Sequence, residues 1–299
     1  MPGEPLPDIF SLLEPILVGK PFVNPWMGID GTFRYRADYG TLEELLAVPV
    51  CEGSGSQSGR LAKALDAWVA FELRRSGFGA DEVWPRITPP RVLPREVALF
   101  VESLPRTVRP IAERILLRNR QVAPSDARVL GRAYVKQVDV LIAQWSRGPE
   151  LLVSTKSMTS SFRKNLPNRF EEAYGDAKNL RGRYPLVAMG FVFLLRSTAL
   201  GEPGTFDRVV DMLRKLKAEG DVYDATCILV AGWANQGPQS VQVMNEIVPP
   251  DLTADHFLAT LVDAVMARTP IEMHIEARSR REHRELQVTE EDTTDPSED

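Results

Sequence analysis

Histidine, cysteine and long apolar runs are what this 299-residue chain has least of. Its three histidines, His256, His274 and His283, all fall late in the chain, and none sits in an HExxH pattern. A zinc centre or a histidine-based nucleophilic triad therefore has little to draw on. The two cysteines, Cys51 and Cys227, are far apart and in no metal-ligand spacing, which points to a reduced, cytoplasmic protein. No GxxxxGKS or GxxxxGKT loop is present, so nucleotide hydrolysis of the P-loop kind is not expected. No stretch approaches the ~20 apolar residues of a membrane span. The longest candidate, YPLVAMGFVFLL, reads as a buried strand, and no membrane partner is expected. The opening MPGEPLPDIF has neither a basic start nor an apolar core, so it does not read as a secretion signal.

Acid is in surplus, but the surplus is local. The formal net charge is −5, yet the last fifteen residues, ELQVTEEDTTDPSED, hold seven acids and no base. The chain ahead of them carries +2. Such a segment predicts a disordered end, either a masking arm that mimics nucleic acid or a solubilising tail.

What is present reads as an α/β protein with a mixed central sheet flanked by helices. Residues 1–58 have loop punctuation and scattered aromatics, with TLEELLAV as a short helix capped by Thr41. CEGSGSQSG reads as a flexible link or a glycine-rich loop near a ligand. RLAKALDAWVAFELRRSG is a strong helix, with Gly77 where a C-terminal cap falls. Its apolar stripe is Leu61, Leu65, Trp68 and Val69, and Glu72 lies inside that stripe. A carboxylate on a buried face is either an active-site acid or the partner of an arginine at the helix end. Residues 85–125 are proline-punctuated and helical, an insertion or a dimerisation surface. Three strand-like segments follow, ARVLGRAY, QVDVLIA and ELLVSTKSM, then a helix over about 168–183. LVAMGFVFLLR and ATCILVAGW are buried strands that alternate with helices up to about residue 270. Residues 271–299 form a charged, largely disordered tail.

The stretch QVDVLIAQWSRGPELLVSTKSM carries the chemistry. Gly148 and Pro149 punctuate a reversal between its two strands. Side chains alternate along a strand, so Asp139 shares a face with Leu141, and Ser154 shares one with Lys156. A hairpin brings Asp139 near Ser154 and Lys156. Unpaired charges are costly on a mostly apolar sheet, so this convergence needs a reason. One reason is phosphodiester hydrolysis, which needs a phosphate neutralised and a hydroxide generated. A divalent metal held by carboxylates does both, and a lysine serves the attacking water. A plainer reason is a buried Asp139–Lys156 ion pair.

An aspartate on one strand followed by acid-x-lysine on the next resembles the signature of the PD-(D/E)XK nuclease superfamily, the fold of most type II restriction endonucleases. The order of elements over about residues 60–235 resembles its αβββαβ core, and implies a nuclease-like domain over 59–270. Here the pattern is Asp139, then Ser154-Thr155-Lys156. Val138 stands where the pattern has proline, and Ser154 where it has an acid. A subgroup of restriction enzymes is similar in carrying serine-x-lysine, with the lost carboxylate supplied by the following helix. Glu171 and Glu172 lie on such a helix, and the helical wheel does not choose between them, although Glu172 is favoured. Glu72 would match the acid that several members place on the first core helix.

The resemblance implies a Mg²⁺-dependent endonuclease acting on double-stranded DNA, with Mn²⁺ as a substitute. It implies a homodimer, a restriction or phage-defence role, and a cognate methyltransferase in the same system. In this reading Asp139 and a glutamate hold the metal, Lys156 serves the water, and Ser154 is a bystander or a weak, water-mediated contact. Arg163, Lys164, Asn168, Arg169, Lys178, Arg181 and Arg183 follow the lysine closely and fit contacts to phosphate. Two other readings remain: a structure-specific repair or recombination nuclease, and a DNA-binding protein that kept the fold without the chemistry.

Overall fold

The computed structural model describes residues 8–29, 32–53, 59–234 and 240–284. The core of the Gly-Ser link, 54–58, and the acidic segment 285–299 lie outside the described residues. In chain order the elements begin with α1 (Ile9–Val18), β1 (Trp26–Ile29), β2 (Thr32–Tyr35), α2 (Tyr39–Cys51) and α3 (Arg60–Arg75). Then come β3 (Val83–Trp84), α4 (Arg95–Ser103), α5 (Arg109–Arg118), β4 (Ala127–Leu130) and β5 (Val135–Val138). The rest are β6 (Val140–Gln144), β7 (Gly148–Met158), α6 (Phe162–Arg181), β8 (Ala188–Arg196), α7 (Thr205–Ala218), β9 (Ala225–Gly232), β10 (Gln242–Val243), α8 (Ala254–Arg268) and α9 (Ile275–Glu282).

The central sheet is mixed, in the order β10-β9-β8-β7-β6-β3. β7, β8 and β9 run parallel, and β6 closes an antiparallel hairpin onto β7 with Val140 opposite Val153. Strand parity sorts the core into two layers. Leu151 and Val153 pack with α3 and α8, whereas Leu152 and Met158 pack with α6 and α7. β8 is buried on both faces, as its unbroken apolar run requires. α7 buries Val209, Val210, Leu213 and Leu216, the spacing of one helical face.

The strand meander is corrected in one respect. β4 pairs only with β5, in a separate two-stranded sheet, and the edge beyond β6 is taken by β3 from before the α4–α5 excursion. α6 begins at Phe162, six residues earlier than the sequence suggests, with Pro167 inside its second turn. Proline forfeits one backbone donor there, and the helix runs through it. α2 is capped by Asp38, whose carboxylate accepts from the Thr41 N–H (2.9 Å) and hydroxyl (2.7 Å); Thr41 itself is inside the helix. The charged end is ordered further than expected, to residue 284. α9 lays Ala277 against Gly77, where an added Cβ would come within 2.8 Å of the Ala277 backbone. The described part of residues 1–58 shares the main core, with Leu13, Leu42, Leu45 and Leu46 fully buried. Among the described residues no helix is long and apolar enough to cross a membrane.

Candidate active site

The β6–β7 register sets Asp139, one residue before β6, opposite Ser154. Thr155 then joins two carboxylates. Its backbone N–H donates to Asp139 Oδ2 at 2.9 Å. Its hydroxyl donates to Asp66 Oδ1 at 2.5 Å. Asp66 sits on α3 and is 1% exposed. Lys63, one turn earlier on α3, reaches Asp66 at 3.5 Å and Asp126 at 3.4 Å.

Two anions this close in a desolvated site disfavour each other's charge. Burial, and then the charge of Asp139, pushes the Asp66 carboxyl up to about 7. Asp139 is also raised, by burial, against the pull of the Thr155 N–H, Lys156 and Lys63. Lys63 is raised despite its own burial, because Asp66, Asp126 and Asp139 surround it. The arrangement favours a cation.

Lys156 lines an open cleft of about 580 Å³ together with Asp139, Gly59, the hydroxyl-rich loop 157–161, Asn165 and Arg169. It makes no hydrogen bond or ion pair with any described residue, so the tight buried Asp139–Lys156 ion pair is corrected. Its ammonium acts on Asp139 only at longer range. Ser154 is buried beside Tyr223, whose hydroxyl donates to the Ala173 carbonyl at 3.0 Å. It lies beneath α6 and is absent from the cleft wall.

The three glutamates are not brought together with Asp139. Glu72 is fully buried, but it accepts from Tyr35 Oη (2.9 Å), the Asp38 N–H (2.9 Å) and Arg75 (2.8 Å). It is the partner of an arginine at the helix end, six residues and about 9 Å of helix rise beyond Asp66. Glu171 and Glu172 are both exposed, and Glu172 pairs with Arg169 at 2.8 Å. The inward acid of α6 is Asp176, held by Lys136 at 2.5 Å.

The basic residues after Lys156 also divide. Arg169 lines the cleft, and Arg163, Lys164 and Asn168 are exposed on the same end of α6. Lys178 pairs with Asp221, and Arg181 joins Arg268 in holding Asp224. Arg183 packs against Tyr184. Arg169 and Arg181 lie twelve residues apart on α6, about 18 Å of rise, so a cluster in sequence is spread along the molecule. Lys178 and Arg181 are structural ion pairs.

Asp66, Lys63, Thr155 and Asn165 are the site residues that sequence reasoning missed. The signal for Asp66 was an acid beside Glu72 on the same apolar helix. Among the described residues no group of three or more His, Cys, Asp or Glu side chains is placed to hold a metal. Two carboxylates nonetheless suit magnesium, which keeps several waters and takes further oxygens from a substrate phosphate. No family model, no curated protein and no solved structure matches the chain.

Proposed function

We propose that the chain is a Mg²⁺-dependent DNA endonuclease centred on Asp66, Asp139 and Lys156. The observation that carries this is the Thr155 clip, which binds one carboxylate by its N–H and the other by its hydroxyl. Asp66 and Asp139 would hold the cation. When bound, magnesium supplies charge to neutralise the phosphate and to acidify a coordinated water. The chain's own groups do the rest. Thr155 fixes the carboxylates without reorganisation. The uncommitted Lys156 orients the attacking water or stabilises the charge that develops on the phosphate. Arg169, Asn165 and the hydroxyls of 157–161 offer donors to the flanking phosphates. The finer reading, a type II restriction or phage-defence enzyme working as a homodimer, rests on the serine-x-lysine resemblance.

A second reading has one observation in its favour. Ser154 stands where the pattern has an acid, so that position of β7 supplies no third carboxylate. A non-catalytic DNA-binding protein of this fold would tolerate that loss.

Cleavage of methylated and unmethylated plasmid and phage DNA tests the first reading. Wild type should give discrete fragments with Mg²⁺ and none with chelator. Lys156→Ala should cut about 10²–10⁴-fold more slowly, the usual range for a lost acid–base group, with an unchanged melting temperature. A folded wild type that shifts DNA on a gel but cuts none of these substrates would move the assignment to the binding protein.

A further inference from the structure

The excursion between β3 and β4 is the least buried part of the described molecule. Its small core is Leu93, Ala98 and Ala123, with Val97 and Leu116 packed against it. α5 has no buried residue at all. At 100° per residue, Ala112 and Leu116 share one face, while Ile111, Arg114, Ile115 and Arg118 share another, about 130° around the helix. Ile111 is 54% and Ile115 60% exposed. Residues 106–120 contain five arginines and one glutamate. Arg106, Arg114, Arg118 and Arg120 form no ion pair with any described residue, unlike Lys178, Arg181, Arg214 and Arg268 elsewhere.

We infer that α5 is a duplex-DNA contact element, its Arg114–Arg118 face entering the major groove. This rests on the nuclease reading and names the surface by which it engages its substrate. A helix fits the major groove, arginines pair with phosphates and guanine edges, and aliphatic side chains meet thymine methyls. The mixture of unpaired arginine and isoleucine matches a polyanion that also presents methyl groups. A second copy of the chain matches poorly, because α5 against α5 sets arginine against arginine, and like charges facing each other are costly. The excursion also returns to the site: it re-enters the fold at Asp126, 3.4 Å from the Lys63 ammonium that reaches Asp66.

The test is equilibrium binding of a fluorescent 30-base-pair duplex to the full chain carrying Asp139→Ala, over a range of KCl. Adding Arg114→Gln and Arg118→Gln should weaken binding at least ~10-fold near 0.15 M salt. The slope of log K against log salt should become shallower by about two. Adding Ile111→Ser and Ile115→Ser instead should weaken binding with the slope unchanged. Arginine variants that match the parent in affinity and slope overturn the inference and leave the nuclease reading intact. Isoleucine variants that turn a dimer into a monomer, with the arginine variants silent, also overturn it, in favour of a second copy. Absence of duplex binding by the parent, together with absence of metal-dependent cleavage by wild type, overturns both. The exposure of α5 keeps these variants foldable, and melting curves check that they are.

Discussion

Asp66 and Glu72 are two buried carboxylates on one helix, and burial pushes both upward, but their partners differ. Glu72 has every lone pair engaged, by Tyr35, Asp38 and Arg75. Asp66 faces another anion and is protonated up to about pH 7. A folded-state pKa raised above the unfolded value means that the native chain holds a proton the unfolded chain has released. Stability is then full below about pH 4 and falls as pH climbs toward 7, by a few kcal/mol at ~1.4 kcal/mol per unit. In chelator at pH 8, Asp66→Asn should therefore melt above wild type, and Mg²⁺ should raise the melting temperature of wild type alone. Glu72→Gln should behave the other way, losing about 3–5 kcal/mol because Arg75 is left without its counter-charge. Thermal melts with and without metal would check both. At this scale strand parity made Asp139 and Lys156 legible. Asp66 was not, because α3 is buried from Ala64 to Arg75 and no polar face marks which way its acids point.

Among the elements, α8 crosses β8 at close range. A Cβ on Gly190 would come within 2.7 Å of Leu261 and of Phe257. Gly190→Ala should destabilise by roughly 1–3 kcal/mol, the usual effect of overpacking, read as a lower denaturant midpoint. A change under 0.3 kcal/mol would mean the crossing is loose. Most elements were legible: the apolar runs of β8 and β9 and the periodicity of α3, α7 and α8 left little choice. Two failures have physical causes. Pro167 looks like a helix boundary because it lacks a donor, yet the surrounding turns carry it inside α6. β4 has a strand's composition, but composition does not say which sheet a strand joins, and the reversal at residues 131–134 pairs it only with β5.

For the whole molecule, the N-terminal region and the sheet stand or fall together. Tyr35, Asp38 and Glu72 are hydrogen-bonded, and Leu13 and Leu42 share the core with Leu65 and Val153. Removing residues 1–38 should leave a chain that aggregates or unfolds, as expression yield and circular dichroism would register; a cooperative, soluble remainder would contradict this. That dependence was hardly legible, since loop punctuation over 1–58 conceals long-range contacts made by a few aromatics. The α4–α5 excursion is the reverse case. β3 and β6 pair antiparallel at its base, so the sheet itself holds the two ends of the intervening chain together. Loop-closure entropy grows only slowly with length, so the fold is nearly indifferent to how much chain hangs from that stem. Such a position behaves as an exchangeable cassette: the chain hung there can be swapped for another without disturbing the sheet that carries the carboxylates.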